Sequence, residues 1–597
     1  MMESEHLYGT ASVAASPEDW VKVTARLACD ERLHSMTVCD TSFGDGMRFL
    51  SLWSFWRSHR APGAKLQIIA FSSPQSWAAL KKGGADDQVP QSLRGLEAQL
   101  EAQWPDALPG VHKLSFEGGT VTLTLIFHPL SVALRQMDAI VDVFWLSDSA
   151  AFLGEAGGAS PAGKLVRVAG ARAEVVGLVD NNAQRLQGVL QQSGFEIQGA
   201  RNAFKGFVRA RLRDGLCHTR RSSFVGADVL VVGAGVAGAA IAWGLAQRGH
   251  HVQVFDPMLK LSKAGAHAGH FAAAVSPYLS KDDDYRARLS RVGVARAWAN
   301  WSQLEEPARP IRCGTLGLPT QDRDIASWQE VLWSLGFPND WAGWLKPEAA
   351  SQKAGEFLEF GGCYRASGLL VKPNRLLPAL LSHPGISCVE ETVTEVTRFR
   401  EGGCGLKTES GSNYEASVVV LANARNIGSL LCRLTEPGDF PKLERLQAVP
   451  GQVSYFDAAG FNGGPACVLD ASAYWLPQVE GLLTAGGTYD LEQTRAEVTR
   501  QGQREIARKL SYFLPAHRQT LSNSDSAVGG WAGWRAVVTG RLPVIGPLYQ
   551  QHDIWLATAY GSRGLTWAAL AADLIGAKLN DEPAIVEREL SAALLPR

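Results

Sequence analysis

The stretch DVLVVGAGVAGAAIAWGLAQRGHHVQVFD, residues 228–256, constrains this chain more than any other. An apolar strand runs into Gly233, Gly235 and Gly238 and then into an apolar helix, the context that gives GxGxxG its meaning. The first glycine permits a tight turn, the second lets a pyrophosphate reach the backbone, and the third lets helix pack on strand. Unpaired N–H groups and the positive dipole end of that helix then face the phosphates. Asp256 closes a second strand, HVQVFD, where a carboxylate accepts hydrogen bonds from an adenosine ribose.

This unit starts more than two hundred residues into a chain of 597, too long for one hydrophobic core. In the first third, KLQIIAFS, VTLTLIFH, AIVDVFWLS and KLVRVAG alternate with helical stretches and are predicted strands of a mostly parallel α/β layer. GFEIQGARNAFKGFVRARLRDG reads as a closing hairpin, and LRDGLCHTRRSSFVGA as a boundary. The expected domains are therefore 1–215, a linker at 216–226, and 227–597.

Hydrophobic content of 46% with 20% charged residues indicates a globular protein. Lys plus Arg (58) nearly cancels Asp plus Glu (59), so a nucleic-acid partner would be held by a local basic patch. The nine cysteines show no CxxC pair or metal-ligand spacing, so reduced thiols and no metal site are expected. MMESEHLYGT carries no export signal, which predicts a cytoplasmic protein. The apolar run 229–246 is broken by glycines and changes period midway, which argues against a membrane span.

FAD and NAD share the ADP half that the fingerprint reads. The C-terminal ATAYGSRGLTWAALAADLIGAKL places Gly561, Ser562, Arg563 and Gly564 before a long helix, a second helix N-terminus of the kind that closes the FAD site in amine-oxidase-type flavoproteins. No second GxGxxG is available for NADPH, and FAD is the expected cofactor.

The order of FGDGMRFLSLW, LEAQLEAQWPDALPGVHKLSFEGGTVTLTLIF, the fingerprint, PYLSKDDD, CYRASGLLVKP, PGQVS, GGTYD and LPVIG resembles, nearly end to end, the bacterial bifunctional tRNA 5-methylaminomethyl-2-thiouridine biosynthesis family. The resemblance implies an N-terminal Rossmann-like methyltransferase fold using S-adenosylmethionine, then a glycine/D-amino-acid-oxidase-like FAD domain. FAD binding would fall to 227–300, 370–430 and 545–597, with an inserted β-rich substrate domain over 300–370 and 430–545. It implies that the FAD half converts carboxymethylaminomethyl-(2-thio)uridine at the tRNA wobble position to the aminomethyl form, which the other half methylates.

The methyltransferase half departs from the family at four ligand positions. DTSFGDG, with Asp40, Gly44 and Gly46, stands for E-T-G-F-G-T-G and introduces Ser42 and Asp45. Phe71-Ser72 replaces an F-E whose acid holds the ribose, His128-Pro129 replaces G-D, and SDSAA (147–151) replaces D-G-F-A-P, leaving Asp148 displaced by one residue. These changes predict that S-adenosylmethionine binding and methyl transfer are weak or lost; the alternative is a variant site in which Asp40, Asp45 and Asp148 bind the cofactor in altered register. Seven basic residues between Arg201 and Arg221, among them Lys205, Arg209, Arg211 and Arg213, face one acid, Asp214, with Phe204 and Phe207 interleaved. Such a strip serves either as a solvated edge strand or as an RNA contact, and the resemblance favours tRNA.

For the oxidoreductase, a substrate carboxylate calls for a bidentate cation, and Arg535 and Arg563 are the candidates. Either could instead be an ion-pair partner. GAHAGHFAAAVSP aligns with the family's A-S-G-N-x-x-G, so Gly269 is an expected flavin contact; His267 and His270 read as structural histidines, the alternative being a base or a contact to the flavin ring. Gly540 stands where the family has an acid. A second reading is a flavin oxidase of a free small amine or amino acid on a structural N-terminal domain.

Overall fold

A computed structural model describes residues 16–28, 35–59, 63–73, 89–153, 161–198, 207–217, 222, 224–523, 526–549 and 552–597. The chain divides into two compact units, Met1–Ser222 with Asp581–Arg588, and Ser223–Asn580 with Glu589–Arg597.

The first unit is built on β1 (Ser35–Asp40), followed by α1 (Met47–His59), then β2 (Lys65–Phe71), β3 (Gly110–Phe116), β4 (Val121–Phe127), β5 (Val141–Leu146), β6 (Ala169–Leu178), β7 (Phe195–Ile197) and β8 (Phe207–Leu212). The strand order is β3-β4-β2-β1-β5-β6-β8-β7, parallel from β4 to β6 and antiparallel at both edges. Neighbouring residues feed opposite faces, as the strand period requires: Val38 and Ile68 enter one core with Trp20, Phe49 and Trp53, while Cys39 and Ile69 enter the other with Phe144 and Phe152. The predicted α/β layer and hairpin are thus found. KLVRVAG is a correction: residues Ala162–Val168 form a helix, and the strand β6 begins only at Ala169. Leu165 and Val168 bury one face of that helix, a spacing the short apolar run hid.

The second unit contains β9 (Asp228–Val232), α2 (Val236–Ala246), β10 (His251–Phe255), α3 (Tyr285–Trp301), β11 (Ile386–Val389), β12 (Val418–Leu421), β13 (Gln447–Asp457), β14 (Leu482–Gly486), α4 (Arg500–Phe513), β15 (Gly529–Val537), β16 (Val544–Pro547), β17 (Ile554–Thr558) and α5 (Gly564–Leu579). Its nucleotide sheet runs β11-β10-β9-β12-β17-β16, with only β16 antiparallel. An eight-stranded sheet carries β14, β13 and β15 as consecutive antiparallel neighbours at one edge.

Helices α2 and α5 are apolar almost all round and accordingly buried. Asp573 on α5 accepts from Arg248 Nη2 (2.8 Å), Arg296 Nε (2.6 Å) and Asn300 Nδ2 (2.9 Å), tying α5 to α3 and to the residues after α2. Among the described residues no helix is long and apolar enough to cross a membrane, and no group of three or more His, Cys, Asp or Glu is placed to hold a metal.

Candidate functional site

The fingerprint folds as a strand, turn and helix. A Cβ at Gly238 would overlap the Gly233 carbonyl oxygen, so α2 can lie this close to β9 only with glycine there. Among the described residues nothing lies within 4 Å of a Cβ built on Gly235, which leaves the space ahead of the α2 N-terminus open. Asp256 Oδ2 accepts from Ala234 N (2.9 Å) and Oδ1 from Met258 N (2.8 Å). A carboxylate with two backbone bonds keeps lone pairs for ribose hydroxyls.

Residues 561–563 form the turn ahead of α5. A Cβ on Gly564 would lie 3.3 Å from Val236 Cγ2, so the starts of α2 and α5 adjoin. A cavity of about 420 Å³ opens beside both, lined by Gly235, Gly561, Ser562, Arg563 and Gly564 on one side and by strand β15 on the other. Tyr560 lines it too, and its buried hydroxyl has no hydrogen-bond partner among the described residues. A buried hydroxyl left unpaired is costly, so the cavity suits an occupant with polar groups. Open space over one helix N-terminus, a second beside it and an unpaired hydroxyl fit FAD.

Arg535, on β15, enters this cavity. Its Nη1 donates to Pro450 O (3.2 Å) and Thr488 O (3.1 Å), and its guanidinium lies where a Cβ on Gly451 would be. The glycine of PGQVS is therefore the seat of this side chain. Burial pulls the guanidinium below its ordinary pKa, and only Tyr474 and Tyr489 oppose that shift. No carboxylate among the described residues pairs with it. Arg563 differs: Nη1 donates to Ser276 O (2.9 Å), its guanidinium lies over the Tyr278 ring, and although burial lowers its pKa, the Asp470 carboxylate works against that.

Gly269 lies beside the cavity, its carbonyl accepting from Tyr455 Oη. His267 and His270 line the cavity as a stack on Trp531, with His270 4.0 Å from the indole centroid at 6°. Their Nδ1 atoms are 3.2 Å apart. Burial pushes His267 down to about 4 and His270 well below its ordinary value, so both rings are neutral at pH 7. Gly540 occupies the turn after β15, with nothing within 4 Å of a Cβ there. Asp470, Tyr474, Trp531 and Tyr560 also line the cavity, and sequence reasoning missed them. Strands distant in the chain bring them together; only Tyr560, next to GSRG, carried a nearby signal.

In the first unit Asp40, Gly44 and Gly46 gather at the turn from β1 to α1. Asp40 is buried and engaged: Arg48 Nε donates to Oδ2 (2.8 Å), Ser147 Oγ to Oδ1 (2.6 Å) and Ser42 N to Oδ1 (3.1 Å). Arg48 Nη2 also donates to Ser42 O, and a Cβ on Gly44 would lie 3.4 Å from that nitrogen. The guanidinium thus folds back along the cofactor turn. Asp45 is used locally, accepting from Met47 N (3.0 Å). Asp148 follows β5 in an exposed turn, and the Asp148 carbonyl accepts from Phe152 N (3.0 Å). His128, at the end of β4, has Nε2 2.9 Å from Glu587 Oε1. With the acid already bonded by an arginine, this turn does not fit S-adenosylmethionine.

Of the basic strip, Arg201 and Lys205 lie outside the described residues, as do Phe204, Arg220 and Arg221. Arg209 is ion-paired with Glu174 across the β6–β8 ladder; Arg211 is half-buried on β8, and Arg213 is exposed.

The profile of the FAD dependent oxidoreductase family matches residues 228–578. The glycine oxidase of Geobacillus kaustophilus superposes with a TM-score of 0.52 at 20% identity, over 62% of this chain and 98% of that one, which shows the fold of the second unit. The tRNA 5-methylaminomethyl-2-thiouridine biosynthesis bifunctional protein MnmC of Ralstonia nicotianae is 30% identical, with 94% of this chain and 89% of its own length aligned. That of Burkholderia mallei is 29% identical over 99% of this chain and 94% of its own. The likeness spans both units, and the chain belongs to the MnmC family, its second unit being an FAD dependent oxidoreductase.

Proposed function

We propose that the protein oxidises carboxymethylaminomethyl-(2-thio)uridine at the wobble position of tRNA to aminomethyl-(2-thio)uridine, releasing glyoxylate. The observation that carries this reading is Arg535, a half-buried guanidinium with no carboxylate partner among the described residues, in a cavity between the fingerprint and strand β15. Gly233, Gly235, Gly238 and Asp256 would hold the ADP half of FAD, and Gly269, Gly561, Ser562 and Gly564 would surround its ring.

The chemistry bound FAD supplies is acceptance of a hydride from the carbon between amine and carboxylate, leaving a C=N bond that water splits. Arg535 binds the substrate carboxylate through its Nη2 and Nε N–H groups, Nη1 being held by Pro450 and Thr488, a fork a lysine cannot reproduce. Its hold on Pro450 and Thr488 fixes the fork before substrate arrives. Arg563, bonded to Ser276 and near Asp470, shapes the wall. The neutral His267, His270 and Trp531 stack adds no positive charge beside the amine, which must lose its proton before hydride leaves.

A second observation bears on the other half: Arg48 holds Asp40. We propose that the first unit lacks methyl transfer and serves as scaffold and RNA contact. Incubating the purified protein with tRNA that carries the carboxymethylaminomethyl nucleoside tests the main reading: one glyoxylate per nucleoside converted, without methylation when S-adenosylmethionine is added. Oxidation of free glycine or sarcosine with untouched tRNA would favour a small-amine oxidase.

A further inference from the structure

A second concavity in the second unit is larger than the cavity beside the fingerprint. A cleft of about 1000 Å³ lies along helix α4, and its described lining includes Arg504, Arg508, Lys509 and Arg518 and no acidic residue. In a chain whose charges nearly cancel, a described lining that holds four cations, two of them without an acidic partner among the described residues, is a local excess. The helix explains the clustering. Ile506, Ala507, Leu510 and Phe513 bury one face of α4, so Arg500, Arg504 and Arg508, four residues apart, share the solvent face. None of these three guanidinium groups has an acidic partner among the described residues. Lys509 is paired with Glu505 (2.6 Å) and Arg518 with Glu359 (3.5 Å). Tyr512, 58% exposed, stands on the lining with its hydroxyl donating to Thr320 O (3.3 Å).

The cleft also adjoins the oxidation site through one stretch of backbone. Lys509 Nζ donates to Gly487 O (3.4 Å), and the next carbonyl, Thr488 O, accepts from Arg535 Nη1 (3.1 Å). Gln452 links the same parts, with its backbone N bonded to Thr488 Oγ1 (3.0 Å) and its side chain to Thr499 at the start of α4 (3.0 Å).

We infer that the α4 cleft binds the ribose-phosphate backbone of the substrate tRNA next to the wobble nucleotide, Arg504 and Arg508 neutralising phosphates and Tyr512 offering a ring for an unstacked base. This rests on the reading that the substrate is a tRNA nucleotide. Phosphate neutralisation carries affinity for RNA and makes it salt-dependent, and aromatic rings take up splayed bases without regard to sequence.

The test is tRNA binding by the flavin-loaded full chain across a salt series, comparing wild type, the double variant R504Q/R508Q, Y512A, and R400Q as a control that removes one exposed positive charge outside the cleft. The double variant is expected to bind tRNA about tenfold more weakly at low salt, with the slope of log K against log salt reduced by about one to two. Y512A is expected to weaken binding about tenfold with the slope unchanged. Flavin absorbance and melting temperature report that each variant is folded. Wild-type affinity and slope in R504Q/R508Q, or equal losses in R400Q, would overturn the cleft assignment while leaving tRNA as the substrate. The same holds if the double variant changes only self-association, which makes the face a protein contact. Absence of saturable tRNA binding by the wild type would instead remove the tRNA reading itself.

Discussion

Arg48 reaches back from the first turn of α1 to Asp40 at the end of β1, its Nε 2.8 Å from Oδ2. The acid of the cofactor turn is thereby neutralised from within the chain, with Ser147 filling the other oxygen.

Titration calorimetry with S-adenosylmethionine is therefore expected to show no micromolar binding. R48A would not restore it, because Ser42 and the displaced Asp148 remain. Instead, the variant leaves Asp40 buried with only hydroxyl and amide partners and is expected to lose on the order of 3 kcal/mol in urea unfolding. Tight cofactor binding by the wild type would contradict this account of the first unit.

Two glycines separate flavin binding from substrate binding. G238A places a methyl group against the Gly233 carbonyl and is expected to yield colourless or insoluble protein. G451A displaces the Arg535 guanidinium instead and is expected to keep its yellow colour while kcat/KM falls about a hundredfold. Absorbance at the flavin band alongside steady-state rates distinguishes the two.

The arginines are expected to part in the same assay. R535K keeps a positive charge but loses the fork, and kcat/KM should fall by about 10²–10³ with flavin retained. R563K loses a bond to Ser276 and should change rates by no more than about tenfold, with some loss of flavin. A larger effect at Arg563 than at Arg535 would reassign the carboxylate seat.

The histidine stack sets a direction for pH. His267 and His270 have folded pKa values below the ordinary 6.5, His267 at about 4, so the unfolded chain binds more protons between these limits. Their contribution to stability is complete above pH 6.5 and is lost as pH falls toward 4. H267Q/H270Q should flatten the dependence of urea midpoint on pH across that window.

The nucleotide half was legible because Gly233, Gly235, Gly238 and Asp256 depend on local backbone demands that a short stretch displays in full. The departures at Ser42, Phe71-Ser72 and His128 were legible for the same reason. That Arg48 occupies the cofactor turn was not, since spacing alone does not say which way a long side chain folds. Residues 164–168 of KLVRVAG form a helix where a strand is expected, because an apolar run of that length suits a strand or a buried helix equally. Asp470, Tyr474 and Trp531 stay hidden in sequence because separate strands of one sheet carry them to the cavity. The basic strip around Arg209 stood out by charge, yet Arg209 itself is bonded to Glu174; the unpaired arginines of α4 drew no notice, being diluted by Gln, Glu and apolar residues.

The most direct measurement is the wobble-nucleoside profile, by mass spectrometry, of tRNA from cells lacking this gene. Carboxymethylaminomethyl-(2-thio)uridine is expected to accumulate, and the aminomethyl form to return when the wild-type chain, but not R535K, is restored. A profile unchanged by the deletion would contradict the assignment of Arg535 and its cavity to tRNA oxidation.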